Sequence, residues 1–534
     1  VIGDFDSLPQ DTVMYADLCI IGAGAAGISL AREFAGTSTE VVLLESGGFD
    51  VDPEHEALNE GESSGLRHVG MTEGRRRGLG GTTCAWAGQC RELDPIDFEP
   101  RSWVPNSGWP FGQEVLAPYY RRAQAVFGVE NEPYDERIWR GFGIAPPAFD
   151  AAKLTSTFTV YSPQPHLGRL YRGMLEAARN VHVYMHATVS RLRTEEGGNR
   201  VVAAEVRSLR GARAEVRARA FVLCMGGVEP VRLLLASTSK AHPNGLGNRN
   251  HLVGRFFLDH PSYFTAEVQT RDPKRLHDLY GLLYRGRVRY WPKFALSERL
   301  QREAGLLNAV AVLVFEYPQN SGVAALKGIV RNVRAGRHAG LSLKALGSLV
   351  HDGAGVAQTG FRRYLLGRSP LGSSRIVLQC YPEQLPDPES RITLSARRDA
   401  LGVPRANIAW RTSELERETV RVLTAAVRSE FARLQLGTVE PAPWLNDSAA
   451  EWAKHVHEGF HHMGATRMAP TPSRGVVDLH CRLHDADGLY LAGSSTFPAS
   501  GFANPTLTIA ALAIRLADHL KTQVLTRAYE LMAS

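Results

Sequence analysis

The sequence predicts an α/β fold, α+β overall: a nucleotide-binding domain joined to a second domain built on an antiparallel sheet. Three observations carry this. An apolar run at residues 18–21 ends in Gly22-Ala23-Gly24-Ala25-Ala26-Gly27, and a helical stretch to Phe34 follows. A second short apolar run, residues 41–44, closes on Glu45. Far downstream, residues 257–454 alternate Val, Tyr, Phe and Leu with polar residues, for example at 306–315 and 375–381. That period of two is expected of antiparallel strands with one buried face.

The first element is a Rossmann-like strand–GxGxxG–helix unit. Gly22 allows the tight turn, Gly24 lets the backbone approach a pyrophosphate, and Gly27 lets the helix pack close to the strand. The helix start then offers free N–H groups and a positive dipole end to phosphate. Glu45 stands where an acid accepts hydrogen bonds from a ribose 2′-OH. An acid there argues against a 2′-phosphate, hence against NADP, but does not separate NAD from FAD.

The next element is a glycine- and threonine-rich loop, EGRRRGLGGTTCAWAGQC at 73–90. It is not part of an ordinary NAD domain. Gly80 and Gly81 permit close backbone approach to a flat or anionic ligand. Thr82 and Thr83 add hydroxyls, and Trp86 adds a flat face. A surface Ω-loop is the plain alternative. The row Arg75-Arg76-Arg77 is either a solvated patch or places one guanidinium near cofactor phosphates.

With these come SGWPFGQEVLAPYYRRAQAVFGV at 107–129, VGRFFLDHP at 253–261, SRITLSARRDALGVPRANIAW at 390–410, HHMGATRM at 461–468 and GVVD at 475–478. The C-terminal block LYLAGSSTFPASGFANPTLTIAALAIRLADHL spans 489–520. In this order, nearly end to end, the sequence resembles the glucose–methanol–choline (GMC) family of FAD-dependent oxidoreductases. Within it the chain is most similar to bacterial pyranose-oxidase-like and glycoside 3-oxidase or dehydrogenase members.

The resemblance implies a FAD-binding domain that is discontinuous, at 1–110, 170–256 and 455–534. Residues 111–169 are then a connecting or cover segment, and 257–454 a substrate-binding domain. It implies FAD contacts from Gly22, Gly24, Ala25, Ala26, Gly27, Glu45, Gly80, Gly81, Thr82, Trp86, Val189, Gly493, Asn504, Pro505 and Thr506. Some pyranose oxidases link flavin covalently through a histidine in the loop. That place holds Ala85 here, so FAD is expected to be non-covalent.

Alcohol oxidation by hydride transfer to flavin N5 needs a base for the hydroxyl proton and a group that holds the oxygen. The resemblance places the base at His461 and the second position at Asn504. Asn cannot act as a base at neutral pH. His462 competes for the base role, and spacing to Gly464 favours His461. His260 is expected to be structural or a wall of the entrance. His455, His457, His461 and His462 suggest a metal site, but no matching Asp or Cys cluster completes it, so no metal is expected. Pro505 suits the first turn of a C-terminal helix.

The resulting expectation is oxidation of a secondary alcohol of a sugar or glycoside to a ketone. The alternatives are a primary-alcohol or amino-sugar substrate, or a flavin-containing lyase on the same fold. The electron acceptor is O2, a quinone or a redox protein. No second strand–GxGxxG–helix unit accompanies the first, which disfavours NADPH-coupled enzymes.

Composition sets the outer bounds. The 534 residues are 44 % hydrophobic and 22 % charged, which excludes disorder. The net charge is +6. Residues 321–370 hold eight basic residues against one acid, Asp352, a local +7, and the rest of the chain sums to −1. The excess belongs to one insertion without aromatic interleaving, so nucleic acid is not expected as a partner. That insertion reads as solvated, as a lid, or as a contact to another subunit of a homo-oligomer. No apolar window reaches the ~18 residues of a membrane span. The N-terminus carries no secretory pattern. Six cysteines without a CxxC pair predict buried free thiols in a reducing compartment, and a cytoplasmic location.

Overall fold

The computed structural model describes residues 1–318 and 353–525. The strand Thr12–Ile21 is the axis of the first sheet. Its last four residues are almost fully buried, as a strand covered on both faces requires. Parallel neighbours follow on one side in the order Val41–Leu44, Val181–Met185 and Ile2–Asp4. On the other side lies Arg213–Leu223, also parallel. This long strand changes partner along its length. Its first half pairs antiparallel with Val201–Arg207, which continues to Thr188–Thr194. Its end, Phe221–Leu223, takes Leu489–Leu491 as a parallel neighbour. Helices Ala25–Phe34 and Thr506–His519 pack against each other beside this sheet.

The second sheet is antiparallel throughout. Its order is Thr438–Pro441, Tyr263–Gln269, Arg375–Pro382, Ala309–Glu316, Val288–Leu296, Leu154–Tyr161 and Gln89–Cys90. The strands expected at 306–315 and 375–381 are found at Ala309–Glu316 and Arg375–Pro382. Residues 111–169 are more than a cover: Leu154–Tyr161 pairs along its whole length with Val288–Leu296. The 20-residue helix Glu414–Arg433 lies against this sheet. A capping box starts it: Ser413 and Glu416 exchange side-chain-to-backbone bonds, which satisfies otherwise orphaned N–H groups. A third sheet of three strands joins Arg391–Arg398, Pro404–Ala409 and Glu62–Ser63.

All six cysteines are unpaired, and all but Cys84 are buried. Among the described residues no helix is long and apolar enough to cross a membrane. Much of the basic insertion, residues 321–352, lies outside the described residues. At its far end Arg362 and Arg368 both pair with Asp278, at 2.6 and 2.9 Å, so one carboxylate of the body of the protein, which Lys274 also reaches, anchors two of its guanidiniums.

Candidate active site

A cavity of about 920 Å3 opens where the carboxyl ends of the parallel strands meet the antiparallel sheet. Ile21, Leu44 and Cys224 line it from the first sheet; Trp291, Lys293, Gln379 and Tyr381 line it from the second. A crevice outside the carboxyl ends of parallel strands is where open α/β sheets bind ligands.

The glycine-rich turn forms one end. Gly22 has φ +103°, and a Cβ there would meet the Cys224 carbonyl at 2.6 Å. At Gly27 a Cβ would lie 1.9 Å from the Gly22 carbonyl, so helix and strand touch only because the residue is glycine. Gly24 differs: a Cβ there would meet nothing nearer than Gly81 Cα at 3.9 Å. Its bare Cα borders the cavity. That is the cradle a phosphate-bearing ligand needs, and the cavity's size and position suit a dinucleotide.

Glu45 holds this end together. Its carboxylate accepts from the backbone N–H of Ala23 at 2.8 Å, Gly47 at 3.0 Å and Gly78 at 2.9 Å. Burial pushes its carboxyl up; the three N–H bonds and Arg77 pull it back part of the way. Glu45 therefore welds three loops as well as facing the cavity.

The cavity is also lined by Ala25, Ala26, Gly81, Thr82, Trp86, Val189, Gly493, Pro505 and Thr506. Gly27 and Gly80 lie behind its wall and act through packing. Gly80, at φ +104°, would place a Cβ 2.8 Å from the Gly168 nitrogen. Ala85 faces the cavity, whereas the Cys84 thiol turns toward the Leu79 carbonyl. Trp86 donates from Nε1 to the Pro165 carbonyl at 2.8 Å, which fixes its ring.

Arg75, Arg76 and Arg77 all border the cavity, and two of them also serve a structural purpose that sequence spacing does not reveal. Arg75 and Arg77 reach Glu229 at 2.7 and 3.0 Å, and Arg232 joins them at 3.2 Å. Burial raises the Glu229 carboxyl, but Arg77, Arg232 and Arg75 outweigh it and hold it well below the usual carboxylate range.

The other end of the cavity is built by two segments that pair at both their ends. Leu258 and Met463 exchange backbone hydrogen bonds at 3.0 and 2.9 Å, and so do Ser262 and His457 at 2.8 and 2.9 Å. Between these clamps Phe460 turns at φ +59°, and His461 is carried against His260. Asp259 fixes both: its Oδ1 accepts from the backbone N–H of His260 at 2.7 Å and of His461 at 2.8 Å. Its Oδ2 lies 3.0 Å from Nε2 of His68. The loop is tied to the first sheet by Ser494, whose Oγ donates to the His462 carbonyl at 2.6 Å.

His461 and Asn504 meet here. The Asn504 amide lies 3.1 Å from His461 Nε2, and both residues line the cavity. Burial, then His260, push the His461 imidazole down to about 3, so the ring is neutral at working pH. His462 also borders the cavity, but its ring is held by other neighbours. It packs between His68 and Phe257 at ring separations of 5.2 and 6.0 Å. His455 stacks on Trp444 instead of joining the other histidines. Among the described residues the groups that bring three potential metal ligands together are His68–Asp259–His462 and Asp4–Asp6–His186.

Two features were not singled out from sequence. Asp259 is one, although it sits inside the LDHP motif. Lys293 is the other. It is buried, borders the cavity, and burial followed by Arg91 lowers its ammonium to about 7. Along Val288–Leu296 it falls on the face opposite Tyr290, Phe294 and Leu296, so alternation marks it as pointing away from the core and gives no sign that this second face lines a cavity.

A dinucleotide cradle facing a neutral histidine and an amide across one cavity is an arrangement suited to a nucleotide-dependent oxidoreductase. Residues 17–243 match the family model described as FAD dependent oxidoreductase, and residues 386–513 match the GMC oxidoreductase model. The chain is 26 % identical to 6'''-hydroxyparomomycin C oxidase of Streptomyces lividus, covering 94 % of this chain and 92 % of that one. It is 24 % identical to the fructose dehydrogenase large subunit of Gluconobacter japonicus, covering 95 % and 98 %. Pyridoxine 4-oxidase from Mesorbium loti has a similar fold, with a TM-score of 0.59 at 20 % identity over 95 % of this chain and 99 % of that one. The chain thus carries an FAD-dependent oxidoreductase domain and a segment matching the GMC oxidoreductase C-terminal domain, and it is an FAD-dependent oxidoreductase acting on CH–OH groups.

Proposed function

We propose that the chain oxidises a secondary alcohol of a sugar or glycoside to a ketone. The observation that carries the reading is the His461–Asn504 pair at 3.1 Å on the cavity wall. His461 accepts the hydroxyl proton at Nε2. The Asn504 amide, which lies beside that nitrogen, turns to donate to the substrate oxygen. Bound FAD supplies the hydride acceptor. Gly24, Gly81, Glu45, Val189 and the start of helix Thr506–His519 are the groups that hold it. FAD is held without a covalent link, because Ala85 offers no nucleophile and the Cys84 thiol faces away. Acid precipitation should therefore release all the flavin into solution.

The opposite wall supports a polyhydroxylated substrate. Trp291 offers a flat face beside Lys293, Gln379 and Tyr381, which offer polar groups for hydroxyls. The name of the Streptomyces relative favours a second reading, a primary or amino-sugar hydroxyl. Anaerobic mixing with a panel of glycosides, alditols and amino sugars tests both. Bleaching of the oxidised flavin by a glycoside, with a ketone product, supports the proposal. Turnover without bleaching points to a lyase and overturns it. His461→Ala should slow bleaching by ~10²–10⁴-fold, and a loss under about tenfold would remove His461 as the base. Reoxidation assayed in parallel with O2 and an artificial quinone identifies the acceptor class.

A further inference from the structure

Two imidazoles meet nitrogen to nitrogen in the cavity wall. Nδ1 of His260 lies 2.8 Å from Nδ1 of His461, with the rings edge to face at 81°. A bond between two ring nitrogens needs one hydrogen, so one ring donates and the other accepts. The far side of His260 decides which. Its Nε2 lies 2.8 Å from the Gly501 carbonyl oxygen, and a carbonyl can only accept. Nε2 of His260 therefore carries the hydrogen. The ring is buried, and burial lowers its affinity for a second proton. Its Nδ1 is then a lone pair, and the hydrogen between the rings belongs to His461. A neutral His461 protonated at Nδ1 has its own lone pair at Nε2, the nitrogen that the Asn504 amide meets.

We infer that His260 is a positioning residue that locks His461 in the Nδ1-protonated tautomer, keeping Nε2 free toward the cavity as the base. The inference rests on the reading of His461 as the base. In the other tautomer His461 would present an N–H to the substrate hydroxyl and could not take its proton. Its Nδ1 lone pair would also face the lone pair of His260. In the locked tautomer the transfer is simple. The substrate O–H bond breaks, its proton adds to Nε2, and the hydrogen on Nδ1 stays directed at His260. No ring has to turn.

The surroundings hold the lock in register. Asp259 Oδ1 takes the backbone N–H of both histidines, so one carboxylate sets their spacing. Gly501 has φ +53°, and a Cβ there would lie 2.4 Å from Asp97 Oδ2, so only glycine can aim that carbonyl at His260. In a serine-protease triad, loss of the group that holds the histidine tautomer costs ~10⁴ in kcat.

The test uses the FAD-loaded enzyme with 15N-labelled histidine. His461 signals are identified by their disappearance in His461→Ala. The expected spectrum shows a neutral ring with hydrogen on Nδ1 and none on Nε2; hydrogen on Nε2 overturns the inference without reference to any substrate. Kinetics give a second arm. His260→Leu removes donor and acceptor, whereas His260→Asn keeps one of each. The limiting rate of substrate-driven flavin reduction should fall ~10²–10⁴-fold in the Leu variant with substrate Kd unchanged, and recover to within about tenfold of wild type in the Asn variant. Equal rates in the Leu variant and wild type, or equal losses in both variants with weakened substrate binding, would assign His260 a merely structural role. If the Leu variant fails to hold FAD, the wild-type spectrum decides. If His461→Ala keeps its rate, the base assignment fails, while the tautomer reading stands or falls on its own.

Discussion

The Asn504 side chain places its amide nitrogen 3.1 Å from Nε2 of His461, and no other described residue is within hydrogen-bonding reach of that nitrogen. An amide N–H that moves from the base to a developing alkoxide makes a charge-assisted bond, worth about 1.5–3 kcal/mol. Asn504→Ala should therefore slow substrate-driven flavin bleaching by ~10–10²-fold with little change in substrate affinity. Anaerobic stopped-flow measurement separates the two, and a pure loss of affinity would count against this role.

Gly24 and Gly27 should respond differently to the same methyl group. Gly24→Ala meets ordinary contact at 3.9 Å, whereas Gly27→Ala drives a Cβ to 1.9 Å from a carbonyl oxygen. The apoprotein of Gly24→Ala should melt within a few degrees of wild type yet bind FAD poorly. Gly27→Ala should lose both stability and flavin. Flavin-to-protein absorbance and Tm, measured on the same samples, distinguish the cases.

Glu229 is the shared counter-ion of Arg75, Arg77 and Arg232. Removing its charge leaves buried guanidiniums facing one another. Glu229→Gln should cost about 3–5 kcal/mol in urea unfolding. The folded-state pKa of Glu229 is depressed, so its contribution is present above the unfolded-state value and disappears as pH falls through the folded one. The gap between wild type and Glu229→Gln should thus close in strong acid.

Lys293 gives the opposite lever at higher pH. Its ammonium is lowered from 10.5 to about 7, so between those values the unfolded chain binds a proton that the folded one does not. Stability from this group is fully present above the unfolded value and is lost as pH falls toward 7. Lys293→Met should be stabilised relative to wild type below pH 7, by an amount on the order of a few kcal/mol, and the advantage should vanish near pH 10. Thermal melts at both ends of that range check the sign.

What sequence makes legible here is what is local. The strand, glycine turn, helix, second strand and acid lie within residues 12–45, so the dinucleotide end can be read without knowing the fold. The His461 and Asn504 motifs are likewise short. The His260–His461 contact joins residues 201 apart, and no spacing rule connects them. The Arg75–Glu229 pair spans 154 residues, so the structural side of the arginine row is not legible in the sequence. Strand Leu154–Tyr161 finds its partner across more than 120 residues, so a stretch that looks like a connection becomes part of a sheet. Lys293 was hidden for another reason. Alternation sets Lys293 opposite Tyr290, Phe294 and Leu296, where a charged side chain reads as solvent-facing, and only the fold turns that face toward the cavity.

The strand Leu489–Leu491 seals the edge left open by Phe221–Leu223. On the ribosome these partners emerge roughly 270 residues apart. At ~5–20 residues per second that edge stands unpaired for roughly 13–54 s of synthesis. During that interval the nascent chain presents bare peptide groups, open to pairing with a neighbouring chain. The exposed stretch is only three residues long, and that shortness limits what it can pair with, quite apart from how stable the enzyme is once complete.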